Sequence, residues 1–287
     1  MSNSVVVGID IGGSHITAAL VDLQSHSIIP GSLIREHVNS KGTADEIIHS
    51  WSSVIGKCSA GLPVDSQKIG IAMPGPFNYN EGICLIKNLD KFESLYNINV
   101  KKRLAGELGI NVSNICLMND ARCFLKGEVF GGAAMGCNNV IGITLGTGLG
   151  SARFHDGEIF DGDLYFMPFK EGTAEDYLSS RWFVKRYQEL TGTTVKNVKE
   201  LREKISDEPR ITSMFAEFGN NLGNVLHTYI QKHTCETIVI GGNIINAWEL
   251  FFHETIGILN LLSKPVSLKK AILGEESALT GAASLWI

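Results

Sequence analysis

The stretch Val5-Val6-Val7-Gly8-Ile9-Asp10-Ile11-Gly12-Gly13-Ser14 decides the fold of this chain. Its β-branched residues predict a buried strand, which Gly12-Gly13-Ser14 interrupts. Residues 16–22 then predict a second strand. The two strands form a hairpin whose turn residues tolerate positive φ angles.

The same pattern returns in the second half of the chain. Residues 140–145 predict a strand that leads into Gly146-Thr147-Gly148, and a further strand follows. When this second stretch is aligned with the N-terminal one, Gly142 aligns with Gly8 and Gly146 aligns with Gly12. Self-similarity of this kind indicates repeated architecture. The sequence therefore predicts two lobes that each begin with the same hairpin.

Helices and strands alternate along the rest of the chain, which is typical of an α/β protein. Helices are predicted over residues 43–57, 99–108, 121–130, 215–232 and 278–287 and from about 247 onward, and strands over residues 69–73, 115–118 and 237–240. We expect residues 1–118 to form an N-terminal lobe and residues 119–275 a C-terminal lobe. The C-terminal helix, about residues 276–287, is expected to pack back on the first lobe.

The composition is that of a globular protein and limits its partners. Of 287 residues, 44% are hydrophobic and 19% charged, and the formal net charge is −5. This charge argues against a nucleic-acid-binding surface. No apolar run approaches the roughly 18 residues of a membrane span. The N-terminus lacks a secretory signal pattern, so we expect a cytoplasmic protein. The six cysteines include no CxxC pair, and we interpret them as free thiols.

Three glycine turns follow predicted strands: Gly12-Gly13-Ser14, Gly146-Thr147-Gly148 and Gly241-Gly242-Asn243. Because glycine lacks a Cβ atom, such turns let backbone amides approach phosphate oxygens. The alternative for each is an ordinary tight turn. Two familiar phosphate motifs are excluded, since the chain has no GxxxxGK[ST] and no GxGxxG that opens a helix. A hairpin turn from each lobe predicts a nucleotide held in a cleft where the lobes meet.

Two carboxylates are candidates for the chemistry. Asp10 lies just before the first glycine turn, where it would repel a triphosphate unless Mg²⁺, held through water, lay between them. Asp120 follows a predicted strand, where it could take the proton of a hydroxyl that attacks the γ-phosphate. The alternatives are structural. Asp10 could cap a turn, and Asp120 could be the N-cap of the next helix.

With these residues the chain resembles the ROK family (repressors, open reading frames and sugar kinases), of the superfamily of hexokinase, actin and the heat-shock chaperone ATPases. The matching stretches are Gly8-Ile9-Asp10-Ile11-Gly12-Gly13-Ser14, Met73-Pro74-Gly75-Pro76, Lys87-Asn88-Leu89, Asn119-Asp120-Ala121-Arg122, Gly127-Glu128, Ile143-Thr144-Leu145-Gly146-Thr147-Gly148-Leu149-Gly150 and Val239-Ile240-Gly241-Gly242. They span nearly the whole chain in order. The resemblance implies an α/β, two-lobed actin-like ATPase fold (ribonuclease H-like) with a central interlobe cleft, and the family's habit makes a homodimer an expectation.

The resemblance also assigns roles. It implies ATP contacts by Gly12, Gly13, Ser14, Gly146, Thr147, Gly148, Gly241, Gly242 and Asn243. It implies sugar contacts by Gly75, Asn88, Asn119, Asp120, Asp163 and Glu175. Asp120 takes the family's base position, and Asp10 is expected to hold Mg²⁺ through water.

One region departs from the family pattern. The family shows Glu-x-Gly-His followed by cysteines that together bind zinc beside the sugar. Here Asp163 replaces the Glu and Phe166 replaces the His, and no Cys lies between Cys137 and Cys235. Zinc needs about four N or S ligands, so we expect no zinc. Tyr165, Phe166 and Phe169 are expected to pack the shortened loop in its place.

We therefore expect an ATP- and Mg²⁺-dependent kinase that phosphorylates a hydroxyl of a hexose or related sugar. The altered loop leaves two alternatives open. One is a catalytically impaired sugar or nucleotide sensor of the same family. The other is an actin-like ATPase that works by polymerisation. Asp10 and Asp120 argue against the first alternative, and the sugar-contacting Asn88, Asn119 and Glu175 against the second.

Overall fold

The computed structural model of the protein describes residues 4–287. Its strands are β1 (Val5–Ile11), β2 (His15–Asp22), β3 (Ser27–Ile28), β4 (Ile34–His37), β5 (Ile69–Met73), β6 (Phe77–Asn78), β7 (Ile83–Cys84), β8 (Ile115–Asn119), β9 (Asn139–Leu145), β10 (Leu149–His155), β11 (Glu158–Asp161), β12 (Pro168–Phe169), β13 (Gly172–Thr173), β14 (Thr237–Gly241) and β15 (Ser267–Lys270). Its α-helices are α1 (Ala44–Ser59), α2 (Val100–Leu108), α3 (Asp120–Gly131), α4 (Ala174–Tyr177), α5 (Ser180–Thr191), α6 (Val198–Glu203), α7 (Pro209–Ile230), α8 (Phe252–Leu259) and α9 (Ser277–Ala283). Short 3₁₀-helices connect several of them, among them Leu164–Phe166, Asn243–Leu250 and Ser284–Trp286.

The chain divides into two compact units. Unit 1 comprises the described residues up to Met135 together with Glu275–Ile287, and unit 2 comprises Gly136–Gly274. The first unit thus extends beyond Met118, because α3 packs on α9 and remains with the elements of unit 1. Within residues 4–287, no helix combines the length and apolar character that crossing a membrane requires.

Unit 1 is built on a sheet in the order β3-β2-β1-β5-β8, with β4 also paired to β2. β1 and β2 form the predicted antiparallel hairpin, and β1, β5 and β8 run parallel. The carboxyl ends of parallel strands meet at one edge, which is where ligands bind in open α/β sheets. Asp10 and Asn119 both lie at this end of their strands.

Unit 2 repeats the arrangement with a sheet in the order β11-β10-β9-β14-β15. β9 pairs antiparallel with β10 and parallel with β14, as β1 pairs with β2 and β5. The predicted internal repeat is confirmed by this pairing. The turns differ slightly: Ile11 pairs with Ile16 in the first hairpin, whereas Leu145 pairs with Leu149 in the second, which is one residue tighter.

Helices α3 and α9 of unit 1 cross at glycines. A Cβ atom at Gly127 would overlap the carbonyl oxygen of Ser277, and one at Gly281 would overlap that of Cys123. The crossing also encloses Glu128, whose side chain is fully buried. Ser277 Oγ donates to Glu128 Oε1 at 2.6 Å, and the backbone N–H of Ala133 donates to Oε2 at 2.8 Å. A buried carboxylate with both oxygens hydrogen-bonded is tolerated, and here it links the C-terminal helix to α3.

Candidate active site

The two predicted carboxylates of unit 1 influence each other. Asp10 is partly buried near the end of β1, and its pKa is raised to about 7. Burial is the largest cause, the negative charge of Asp120 contributes, and Arg35 opposes the shift. The fold therefore brings together two side chains that the sequence places far apart, as an acid pair whose mutual repulsion a cation would relieve.

Asn119, rather than Asp120, caps helix α3. Its side-chain Oδ1 accepts hydrogen bonds from the backbone N–H groups of Ala121 at 3.0 Å and Arg122 at 3.3 Å. Asp120 is the first residue of the helix and is exposed; its Oδ1 accepts only the neighbouring Ala121 N–H, at 2.8 Å. The capping role is thus filled, and it does not explain the carboxylate at position 120.

The first glycine turn closes through Gly12, whose N–H donates to His15 O at 2.9 Å. Neither Gly12 nor Gly13 has a positive φ, so left-handed backbone does not account for these glycines. The space beside them is open instead. A Cβ atom at Gly13 would come no closer than 3.6 Å to its nearest neighbour, Lys91 Cδ. The exposed turn therefore leaves room for a ligand to approach the backbone.

Gly75 and Asn119 lie beside Tyr79, a residue that the sequence analysis did not single out. The Tyr79 hydroxyl donates to Met73 O at 3.0 Å and lies 3.4 Å from Asn119 Nδ2, which donates to it. A Cβ atom at Gly75 would lie 3.1 Å from the same hydroxyl. No sequence motif indicates Tyr79, because its hydroxyl reaches Met73 and Asn119 only after the chain folds back beyond β5.

Asn88 lies in a segment of unusual backbone. Asn88, Asp90 and Phe92 all have φ between 54° and 60°, a region that non-glycine residues rarely occupy. The segment is fixed by the buried ring of Phe92, which packs edge-on against Trp51, and by an ion pair between Asp90 and Lys41. Strained residues held by their surroundings are frequent at ligand sites. The Asn88 side chain is exposed and makes no hydrogen bond to other residues in 4–287.

The second glycine turn, in unit 2, is supported by Glu175. Its Oε2 accepts from the Leu149 N–H at 2.9 Å, and its Oε1 pairs with Arg181. A Cβ atom at Gly148 would lie 2.7 Å from Glu175 Oε2, so the carboxylate packs directly on the turn. Helix α5 begins at the same place, since Ser180 N–H donates to Gly146 O at 2.8 Å.

A cavity of about 860 Å³ in unit 2 adjoins this turn. Thr147 and Asn243, both predicted to contact ATP, line it. Helix α5 contributes further lining residues from Ser180 to Gln188, and α6 contributes others. The contributions of α5 and α6 were not predicted from the sequence, because they form no recognisable motif. The volume is within the range of small-molecule sites.

The third glycine turn is mainly structural. Gly242 has φ of +86°, and a Cβ atom there would overlap the carbonyl oxygen of Leu145. Glycine is required on both grounds, because β14 runs beside β9 at this point. The turn places Asn243 in the lining of the 860 Å³ cavity.

The loop that departs from the family pattern differs from our expectation. Tyr165 and Phe166 are 50% and 53% exposed, so they do not fill its interior. Instead, Lys170 Nζ donates to Asn221 Oδ1 at 2.8 Å and lies over the rings of Phe169 and Tyr177, 5.4 and 5.0 Å from their centroids. The expected packing by Tyr165 and Phe166 was wrong because an ammonium group fixes the loop, and only Phe169 takes part.

Asp163 begins this loop in the left-handed region with φ of 53°. Its side chain is exposed and does not cap the 3₁₀-helix Leu164–Phe166 that follows. It is therefore free to contact a polar ligand. Among residues 4–287, no group of three or more His, Cys, Asp or Glu side chains is placed to hold a metal ion.

Comparisons with known proteins identify the family of this chain. The ROK family profile matches residues 6–166 and 169–287. The chain is 23% identical to the N-acetyl-D-glucosamine kinase of Photobacterium profundum, covering 97% of this chain and 98% of that protein. It is 27% identical to the glucokinase of Thermotoga maritima, covering 95% and 96%. The ROK family glucokinase of Streptomyces griseus, solved in complex with glucose and AMPPNP, superposes with a TM-score of 0.77 at 23% identity over 98% of both chains.

The fold is thus the two-sheet α/β fold of the ROK hexokinases. The chain belongs to the ROK family, and the interruption of the match at residues 167 and 168 falls in the altered loop.

Proposed function

We propose that this carbohydrate kinase transfers the γ-phosphoryl group of ATP to a hydroxyl of a hexose or related sugar, with Asp120 as general base. The observation that carries the proposal is the state of Asp120. Its carboxylate is exposed at the start of α3 and lies near Asp10. It is not needed as the helix cap, because Asn119 has that role. A base needs an accessible oxygen, and Asp120 Oδ2 has no hydrogen bond within residues 4–287.

The acid pair of unit 1 fits a magnesium ion. Carboxylate oxygens are the ligands that Mg²⁺ prefers, and it keeps several waters while binding one or two carboxylates and substrate phosphates. The absence of a larger ligand cluster among the described residues is compatible with that mode. Asp10 would hold the ion through water, and the ion would neutralise charge on the transferred phosphoryl group.

In unit 2, the cavity beside Thr147 would hold the adenosine of ATP. Asn243 lines this cavity, and Gly146-Thr147-Gly148 would direct its amides at the phosphates. Glu175 fixes that turn through Leu149 N–H and Arg181. The open turn Gly12-Gly13-Ser14 of unit 1 is proposed to contact the phosphates as well.

The sugar would be bound by polar groups that the described structure leaves available. Asn88 and Asp163 are exposed side chains on left-handed residues, and neither is used in the fold. Asn119 keeps one amide hydrogen for a sugar hydroxyl, since the other is donated to Tyr79 and its oxygen caps α3. Glu175 has both oxygens engaged, so a sugar contact from it would be shared with Leu149 and Arg181. Gly75 would contact the sugar through its backbone, beside the Tyr79 hydroxyl.

The test is ADP release against a panel of hexoses, N-acetylhexosamines and sugar alcohols, with the phosphorylated product identified by mass spectrometry. We expect turnover with at least one sugar and a loss of about 10²–10⁴-fold in kcat for Asp120→Asn, the contribution of a general base. Binding of ATP should persist in that variant, as followed by calorimetry. If sugar and nucleotide bind but no compound is phosphorylated above the level of Asp120→Asn, the protein is a sensor and the proposal is wrong.

A further inference from the structure

The walls of the 860 Å³ cavity of unit 2 carry a strong excess of positive charge. Its cationic lining residues are Arg181, Lys185, Lys196, Lys199 and Arg202, and its described lining includes no Asp or Glu. The chain as a whole has 25 Lys and Arg against 30 Asp and Glu. The charge of the cavity is therefore opposite in sign to that of the protein.

The cations are arranged on two helix faces. Arg181 and Lys185 are four residues apart on α5, and Lys199 and Arg202 are three apart on α6. Residues at these spacings lie on the same face, and like charges there destabilise a helix by about 0.2–0.5 kcal/mol per pair. An anion bound against these faces would relieve that repulsion.

Most of these cations make no ion pair within residues 4–287. Arg181 pairs with Glu175, but the other four make no ion pair within residues 4–287. Lys199 and Arg202 also border an adjoining cavity that contains Glu203 and Glu249, and neither acid is within ion-pair distance of them. Lys185 lies near enough to Asp176, and Lys196 to Glu200, to lower the pKa of those carboxylates, but neither forms an ion pair with them. Positive charge therefore remains in excess in the cavity lining.

The phosphates of ATP do not account for all of this charge. The turn that would bind them adjoins the start of α5, at Ser180. Gln188, also in the lining, lies about 12 Å further along the helix at 1.5 Å per residue. Lys196, Lys199 and Arg202 come from the segment that follows α5, and adenosine offers them no negative charge.

The rest of the lining suits a nucleoside base. Apolar side chains are supplied by Val184, Val198 and Ile244, and amides by Gln188, Asn197, Asn243 and Asn246. An inorganic phosphate chain could bind the amides but would leave the apolar side chains without a contact. A ligand that satisfies both parts of the lining is a nucleotide with phosphate on its ribose as well as at its 5′ position.

We propose that the cavity binds adenine nucleotides that carry an additional phosphate on the ribose 2′ or 3′ oxygen, through Lys196, Lys199 and Arg202. This inference rests on the proposed function, since it extends the ATP site. Such a nucleotide would compete with ATP and so inhibit the kinase.

The test compares adenosine 3′,5′-bisphosphate and adenosine 2′,5′-bisphosphate with AMP, by isothermal titration calorimetry and by inhibition of ATP turnover. We expect at least one bisphosphate to bind roughly tenfold more tightly than AMP, because its extra phosphate forms charge-assisted hydrogen bonds. The advantage should shrink as salt is raised, since the cations are exposed. The double variant Lys196→Gln/Lys199→Gln should reduce the ratio of the two affinities to near one. The control Lys232→Gln/Lys264→Gln removes the same charge elsewhere in unit 2 and should keep the ratio.

Two results would overturn the inference. Equal affinities of AMP and both bisphosphates for the unaltered protein would show that the cations do not recognise the ribose phosphate. Binding of tripolyphosphate as tightly as of the better bisphosphate would show that they recognise anions without the base. Failure of the proposed function is distinguishable, because then ATP itself would not bind the cavity or support turnover.

Discussion

The carboxylate of Asp120 lies near enough to Asp10 to help raise its pKa, and burial and this charge together bring the pKa of Asp10 to about 7. In an unfolded chain the same group has the ordinary value of 3.8. Between these two values the folded protein holds a proton that the unfolded chain has lost. The contribution of Asp10 to stability therefore falls as pH rises from about 4 to about 7, and above that it is destabilising by a constant amount.

Asp10→Asn removes this penalty. Without nucleotide or divalent ions, we expect the variant to be more stable than the unaltered protein at pH 8, by on the order of 2–4 kcal/mol at about 1.4 kcal/mol per pKa unit. Near pH 4 the difference should vanish. Urea unfolding at several pH values measures this, with the exposed Asp207→Asn as control. A difference that does not grow with pH would contradict the raised pKa.

The division of roles at the start of α3 gives a second prediction. Asn119→Ala should lower the free energy of unfolding by about 1 kcal/mol, because it removes the oxygen that accepts from Ala121 and Arg122. Asp120→Asn should change it by much less while abolishing most activity. Parallel denaturant titrations and turnover assays compare them. The reverse order of stabilities would mean that Asp120 is the cap.

The glycine turns should respond differently to alanine. Gly242→Ala should destabilise unit 2 by several kcal/mol, because glycine is required there both by φ and by the nearby Leu145 carbonyl. Gly146→Ala should leave the fold intact, since nothing lies within 4 Å of the added methyl group. It should instead raise the KM for ATP. Thermal unfolding and ATP kinetics separate the two effects, and a normal KM in Gly146→Ala would argue against phosphate binding by that turn.

The loop around Lys170 can be tested by a double-mutant cycle. Lys170→Met should cost about 1–3 kcal/mol, because Asn221, which is 3% exposed, loses the donor to its Oδ1. Combining it with Asn221→Leu should cost less than the sum of the two single changes, since the buried amide is removed as well. Additive effects in urea unfolding would show that the two side chains are not coupled.

The crossing of α3 and α9 predicts a further contrast. Gly281→Ala should destabilise unit 1 strongly, because the added methyl group overlaps the Cys123 carbonyl. Gly106→Ala in α2 has nothing within 4 Å of its methyl group and should stabilise by up to about 1 kcal/mol. Melting temperatures of the two variants should shift in opposite directions. A neutral Gly281→Ala would contradict the close crossing.

Much of the fold was accessible from the sequence because its central strands are short apolar runs that end at glycines. The strands Val5–Ile11 and Ile69–Met73 were predicted to the residue. The short edge strands and the helices between residues 174 and 203 were not predicted. The strands and α4 are only two to four residues long, whereas α5 spans twelve residues and buries Trp182, Phe183 and Tyr187, a signal that was overlooked. The last predicted helix is divided in the structure into α9 and a 3₁₀ turn.

The site was only partly accessible. Motif order located Asp10 and Asp120 but could not show that Asn119 takes the capping role, which depends on side-chain rotamers. The cationic lining of the cavity was missed, because Arg181 and Lys199 come together only when α5 and α6 fold. The position of Lys170 in the altered loop, where aromatic packing was expected, was missed for the same reason.

The C-terminal helix has a consequence for biosynthesis. Glu275–Ile287 completes unit 1, yet a ribosome produces it after all of unit 2. Gly136–Gly274 can therefore begin to fold while the earlier segment still lacks α9, leaving the β1 and β5 surfaces that α9 covers exposed until α9 has been synthesised. A nascent chain stalled before residue 275 should expose those strands to chaperones or aggregation, so the unit made first is the one finished last.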